Sequence, residues 1–236
     1  MSGHLNPRVG NIHFCVAGVS TTFLDHIPRS YYSATNSMAP IRVCLVGLSA
    51  KGSWAAYAHL PYLRSSEKYD VVALLNSSLE SAKASVDAYD LPPSTRTYAD
   101  VNSMVEDSTV DLVVVCTRLD KHKDTLVSAI NAGKDVFVEW PVAVTTEETQ
   151  KIATLAKAKS VTTMVGLQGR ASPMIGTVQH CLSSGKIGRV LSTRISGVDV
   201  QFGDVMSEAY EYLNLQDSGG NLHTLMCAHG EFYNTP

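Results

Sequence analysis

The chain has 236 residues, room for one large domain or two small ones. Its 44% hydrophobic and 17% charged residues form a globular balance, and no apolar run nears the roughly 18 residues of a membrane-spanning helix. With 19 Lys+Arg against 22 Asp+Glu, the net charge of −3 provides no broad basic field for a polyphosphate backbone, which excludes a dedicated nucleic-acid binder.

The first 37 residues hold no Lys or Glu, two Arg (Arg8, Arg29) and one Asp (Asp25). They read as a disordered extension or a leader, with Met38 as an alternative start. From Met38 the pattern alternates. Ile41 to Val46 is a continuous apolar run, as in a strand buried on both faces. A helix is expected over Ser53 to Leu63, kinked or ended by Pro61. Val71 to Leu75 is a second strand, Leu79 to Tyr89 a helix stopped by Pro92-Pro93, Thr95 to Tyr98 a short strand, and Ala99 to Glu106 a short helix. Val110 to Cys116 is the most apolar strand, followed by a helix from Lys121 to Ala132 that Gly133 closes. Asp135 to Val138 is a strand, Thr145 to Lys159 a helix with a capping-box opening, and Thr162 to Leu167 a sixth strand.

Six short apolar strands separated by helices predict an α/β fold: a doubly wound parallel sheet with right-handed crossovers. After Pro173 the pattern changes to a helix (Met174 to Ser184) and a long strand (Val190 to Val198). This divides the chain into an extension (1–37), a nucleotide-type domain (38–168) and an incomplete α+β second domain (169–236).

The first strand ends in Gly47-Leu48-Ser49-Ala50-Lys51-Gly52. Against G-x-G-x-x-G, Gly47 and Gly52 stand in place and Ser49 replaces the middle glycine. In a Rossmann unit the first glycine permits the tight turn, the last lets the helix pack close, and the helix N-terminus faces a pyrophosphate. The Ser49 hydroxyl is small enough for that position and is able to donate to a phosphate. Strand two ends without an acid, at Asn76-Ser77-Ser78. Asn76 and Ser77 suit a ribose or tolerate a 2′-phosphate, and Lys83 stands one helical turn onward, a slight lean to NADP over NAD.

Five cysteines, at 15, 44, 116, 181 and 227, form no C-x-x-C pair and no zinc-type spacing, so no metal site is expected. Cys44 and Cys116 fall in apolar runs and read as small hydrophobes. The spacing suits a reduced compartment, the cytoplasm or, for a regulator, the nucleus.

Thr97-Tyr98-Ala99-Asp100, Val110 through Thr117, His122, and Ala132 through Pro141 follow one another in a characteristic order, together with Gly166 through Pro173 and Lys186 through Val190. This order resembles the glucose–fructose oxidoreductase / inositol dehydrogenase (Gfo/Idh/MocA) family over about residues 41–200. Glu139-Trp140-Pro141 and Gly166-Leu167-Gln168-Gly169-Arg170 bring it nearest a fungal branch that includes the galactose-pathway co-repressor.

The resemblance implies a Rossmann domain binding NADP or NAD through Gly47, Ser49, Gly52, Asn76, Ser77, Thr117, His122, Glu139 and Arg170. It implies an oxidoreductase acting on a hydroxyl or carbonyl of a sugar-like or secondary metabolite. Trp140 stands where the family's Glu-Lys-Pro motif carries a catalytic lysine, and an indole N–H performs no acid/base chemistry. His229, in the segment Gly219 to His229, is then the best remaining acid/base. A dinucleotide-sensing co-regulator that binds a protein partner is the second reading, and a truncated, inactive member the third. Family members also dimerise through the second sheet, so a homodimer is a further implication. Neither direct nucleic-acid binding nor a membrane is expected.

Overall fold

The computed structural model describes residues 39–192, 211–212 and 215–219. They fall into two compact units that divide between Gly166 and Leu167.

The first unit alternates strand and helix. In order it runs β1 (Ile41–Val46), a π-helical turn (Ala55–His59) continuing into α1 (Leu60–Ser65), β2 (Tyr69–Leu75), α2 (Leu79–Ala88), β3 (Arg96–Tyr98) and α3 (Val101–Val105). It continues with β4 (Leu112–Val115), α4 (His122–Asn131), β5 (Asp135–Glu139), α5 (Thr146–Lys159) and β6 (Thr163–Gly166). All neighbouring strands pair in parallel, in the order β3-β2-β1-β4-β5-β6. This is the doubly wound Rossmann arrangement. The order reverses between β1 and β4, and at such a switch point a crevice opens beyond the carboxyl ends of the strands.

Burial explains why the strands are so apolar. Cys44 and Val46 on β1, Ala73 and Leu75 on β2, Val113 and Val115 on β4, and Val136 and Val138 on β5 alternate onto one face. There they share a core with Leu126, Ala129 and Ile130 of α4 and Ile152 and Ala156 of α5. The intervening Leu45, Leu74, Val114 and Phe137 are also at most 2% exposed, so both faces are covered.

Local signals set the helix ends. Ser78, Asp100 and Thr145 accept from the backbone N–H three residues on, capping α2, α3 and α5. Gly133 follows α4 at φ +75°, the left-handed conformation that glycine adopts at low cost.

Two expectations are revised. A single helix over Ser53 to Leu63 becomes a π-helical turn and a short α-helix, because Pro61 lacks the N–H that would continue the ladder. Pro61 instead sits in the first turn of α1, where no N–H partner is needed. In the second unit, Val190 to Ser192 form no strand, and the rest of that expected strand lies outside the described residues. This unit contains a 3₁₀ turn (Gln168–Ala171), α6 (Pro173–Ser183) and a 3₁₀ turn at Gln216–Ser218. Among the described residues no helix is long and apolar enough to cross a membrane.

Candidate functional site

The carboxyl ends of β1, β2, β4 and β5 bring together most of the residues singled out from the sequence. Gly47 follows β1 at φ +91°, and its N–H donates to Leu75 O at 3.0 Å. A Cβ at Gly47 would stand 2.9 Å from Cys116 O and 3.1 Å from Thr117 Cγ2, so the strand ends meet across a bare Cα. Gly52, at φ +94°, closes the turn through its N–H to Ser49 O at 3.0 Å. The Ser49 hydroxyl accepts from Lys51 N–H at 3.2 Å, which leaves its own proton to donate. Ser53 starts the helical segment; its hydroxyl accepts from Ser49 N–H at 3.2 Å and from Ala56 N–H at 3.4 Å.

The second βα unit pins the carbonyls of this loop. Leu48 O accepts from Asn76 Nδ2 and from Ser85 Oγ, each at 2.7 Å, and Ser49 O accepts from Tyr89 OH at 2.7 Å. In a trans peptide the following N–H points opposite its carbonyl, so anchoring Ser49 O turns Ala50 N–H to the other side. Ser85 and Tyr89 were not foreseen from the sequence. Both come from α2 and its end, and nothing local marks them as loop anchors.

Asn76 therefore spends its amide hydrogens inside the protein, on Leu48 O and, at 3.3 and 3.4 Å, on Ser81 Oγ and Ser85 Oγ. Its Oδ1 is buried with no hydrogen-bond partner among the described residues, as is Thr117 Oγ1 beyond β4. Ser77 is exposed next to Asn76, and Lys83 is exposed on α2.

His122 is 2% exposed at the start of α4. Its ring nitrogens face two carbonyls, Thr117 O at 2.9 Å and Pro141 O at 3.0 Å. Burial pulls its pKa below the ordinary histidine range. A neutral ring carries one N–H, so it donates to one of these carbonyls while its other nitrogen lies against the second, and both nitrogens are turned to protein rather than to a ligand.

Glu139, expected to bind the cofactor, is buried at the end of β5 with its Oε1 hydrogen-bonded to His59 Nε2. Its Oε2 lies 3.0 Å from where a Cβ on Gly166 would stand, so glycine at that position gives the carboxylate its space. His59 comes from the π-helical turn and meets Phe137 edge-on, with ring centroids 5.1 Å apart. Burial acts to lower the His59 pKa, but Cys116 and Glu139 outweigh it and hold the imidazole well above its ordinary range. Burial pushes the Cys116 thiol up. His59 and Cys116 were both missed from the sequence. Cys116 looked like one more apolar strand residue, and the only hint at His59 was a histidine two residues before Pro61 in an apolar helix. Trp140 is half-buried immediately after Glu139 and precedes Pro141 through a cis peptide bond.

Arg170 falls on the 3₁₀ turn Gln168–Ala171, which belongs to the second unit. His229 lies outside the described residues.

Comparison with known proteins agrees with this geometry. The profile of an oxidoreductase family with an NAD-binding Rossmann fold, GFO_IDH_MocA, matches residues 41–167. The dehydrogenase aclE of Aspergillus oryzae is 39% identical over 166 residues, which cover 69% of this chain and 45% of that protein. The galactose/lactose metabolism regulatory protein GAL80 of Saccharomyces cerevisiae is 30% identical over 181 residues, 74% of this chain and 41% of the relative. The structure of a super-repressor mutant of that regulator superposes with a TM-score of 0.71 at 28% identity, covering 81% of this chain and 51% of its own. Myo-inositol dehydrogenase from Lactobacillus casei, in complex with NAD(H) and myo-inositol, gives a TM-score of 0.57 at 28% identity, over 63% of this chain and 43% of that one. The chain thus spans less than half the length of the curated relatives it matches.

Proposed function

Since the chain belongs to the Gfo/Idh/MocA oxidoreductase family with its NAD-binding Rossmann fold, we propose that it is an NAD(P)-dependent oxidoreductase. Its proposed substrate is a hydroxyl or carbonyl compound of sugar-like or secondary-metabolite type. The observation that carries this reading is the glycine turn Gly47 to Gly52, held rigid by Asn76, Ser85 and Tyr89 at the sheet's switch point. Two further features fit a dinucleotide. Any side chain at Gly47 would fill the gap between the strand ends, and Asn76 Oδ1 and Thr117 Oγ1 are buried polar atoms lacking a partner among the described residues.

In this reading Gly47, Ser49 and Gly52 lie against the pyrophosphate, and the Ser49 hydroxyl donates to it. Asn76 and Ser77 face the adenosine ribose. With the Asn76 amide hydrogens committed to Leu48 O, only its oxygen remains. An amide oxygen accepts from a ribose hydroxyl but repels a 2′-phosphate, which shifts the preference from NADP toward NAD. Thr117 lies beside the reactive end, and His122 keeps the two neighbouring segments in register. When bound, the nicotinamide supplies the hydride chemistry. Trp140 offers a flat stacking surface but no proton transfer, so Arg170 is assigned to orient the substrate and His229 to provide the acid or base.

Purified protein is incubated with NADH or NADPH and a panel of sugar-like and aromatic carbonyls, and cofactor absorbance is followed. Turnover supports the reading. Cofactor binding with no turnover on any carbonyl favours a second reading: a dinucleotide-sensing co-regulator that acts through a protein partner. Trp140 at the lysine position and the similarity to GAL80 support that alternative.

A further inference from the structure

We infer that His59, Cys116 and Glu139 form a three-ligand site for a zinc-class divalent transition metal. The three converge from separate elements: the π-helical turn, the residue after β4, and the last residue of β5. One donor atom from each (an imidazole nitrogen, the Cys116 Sγ and a carboxylate oxygen) lies within 4.8 Å of the other two.

Tetrahedral zinc, with bonds of about 2.0–2.3 Å, sets its donors roughly 3.3–3.6 Å apart. From the observed cluster, the His59 and Glu139 donors move apart and Cys116 closes by at most about 1.5 Å to reach that geometry. An N, S, O donor set selects zinc-class ions over magnesium or calcium, which take oxygen ligands. His59 and Glu139 side chains are each 10% exposed, and the three residues of the cluster are sheltered from bulk water. The surroundings also hold the donors in place: the Phe137 ring packs T-shaped against the His59 ring, and bare Gly166 gives the carboxylate its room. Three protein donors leave a fourth position for water, as in metal sites open to a ligand. Binding releases the Cys116 thiol proton and the proton shared by His59 and Glu139.

The test uses the full chain, stripped with a chelator and kept reduced, titrated with cobalt(II). The expected result is one equivalent bound with a thiolate-to-cobalt charge-transfer band, displaced by zinc. Cys116→Ser removes the band, and Glu139→Gln weakens binding roughly tenfold or more. A second measurement needs no variant: in urea that exposes the buried apo thiol, zinc protects Cys116 from iodoacetamide, read by peptide mass spectrometry. No thiolate band in the parent chain, a band that persists in Cys116→Ser, or unprotected Cys116 overturns the site. NADH binding, measured on the same samples, stands or falls separately.

Discussion

Replacing Gly47 with alanine tests the loop at its tightest point. At φ +91° an L-residue is strained by about 1–2 kcal/mol. The new Cβ would stand 2.9 Å from Cys116 O, 3.1 Å from Cys116 C and 3.1 Å from Thr117 Cγ2, and two of these atoms are backbone that yields little. Such overpacking costs about 1–3 kcal/mol. The reduced freedom of the unfolded chain returns about 0.4–1 kcal/mol. The net expectation is a loss of about 2–4 kcal/mol, or a urea midpoint lower by roughly 1–2 M for a slope near 2 kcal/mol/M. Gly133→Ala is the control. Its φ is +75°, yet nothing lies within 4 Å of the added methyl, so it carries the backbone strain without the clash. Urea unfolding of both variants, followed by circular dichroism, isolates the steric part as their difference. Equal losses in the two, or a Gly47→Ala loss under about 0.5 kcal/mol, refute the reasoning.

The remaining expectations concern charge and the loop anchors. His59 is raised above its unfolded value, so its contribution is fully present below about pH 6.5 and is lost as pH rises through the folded pKa. The melting temperature of the chelator-stripped chain should therefore fall on the alkaline side, and His59→Gln should flatten that slope; a stripped parent melt that does not change above neutrality contradicts the pair. His122 has the opposite sign: its lowered folded pKa removes stability as pH falls below about 6.5, and His122→Gln should lessen that acid-side loss. Tyr89→Phe removes the donor to Ser49 O and should cost about 1 kcal/mol while weakening dinucleotide binding; unchanged affinity would show that the anchor does not organise the loop. NADH should bind more tightly than NADPH, because the free Asn76 atom is an acceptor; tighter NADPH would place the 2′-phosphate elsewhere.

The fold was legible because strands buried on both faces leave uninterrupted apolar runs, and caps such as Thr145 and Gly133 mark the ends of helices. The break near Pro61 was visible, but the π-helical turn was not: sequence periodicity reports that an apolar face exists, not how far it rotates. The glycine loop was legible because backbone geometry restricts which residues occupy it. The network behind it was not. Asn76, Ser85 and Tyr89 meet Leu48 and Ser49 across 28 to 40 residues of chain, and no local pattern encodes that meeting. The His59, Cys116 and Glu139 cluster was hidden for the same reason. Each residue has a bland local setting, and only the register of β4 against β5, with the turn before α1, gathers them.

The strand ends are proposed to form a dinucleotide site. The most direct measurement is a fluorescence titration of the purified chain with NADH and with NADPH. Saturable one-to-one binding, stronger for NADH and lost in Gly47→Ala under conditions where that variant is folded, is the predicted result. A chain that melts cooperatively yet binds neither nucleotide would contradict the account.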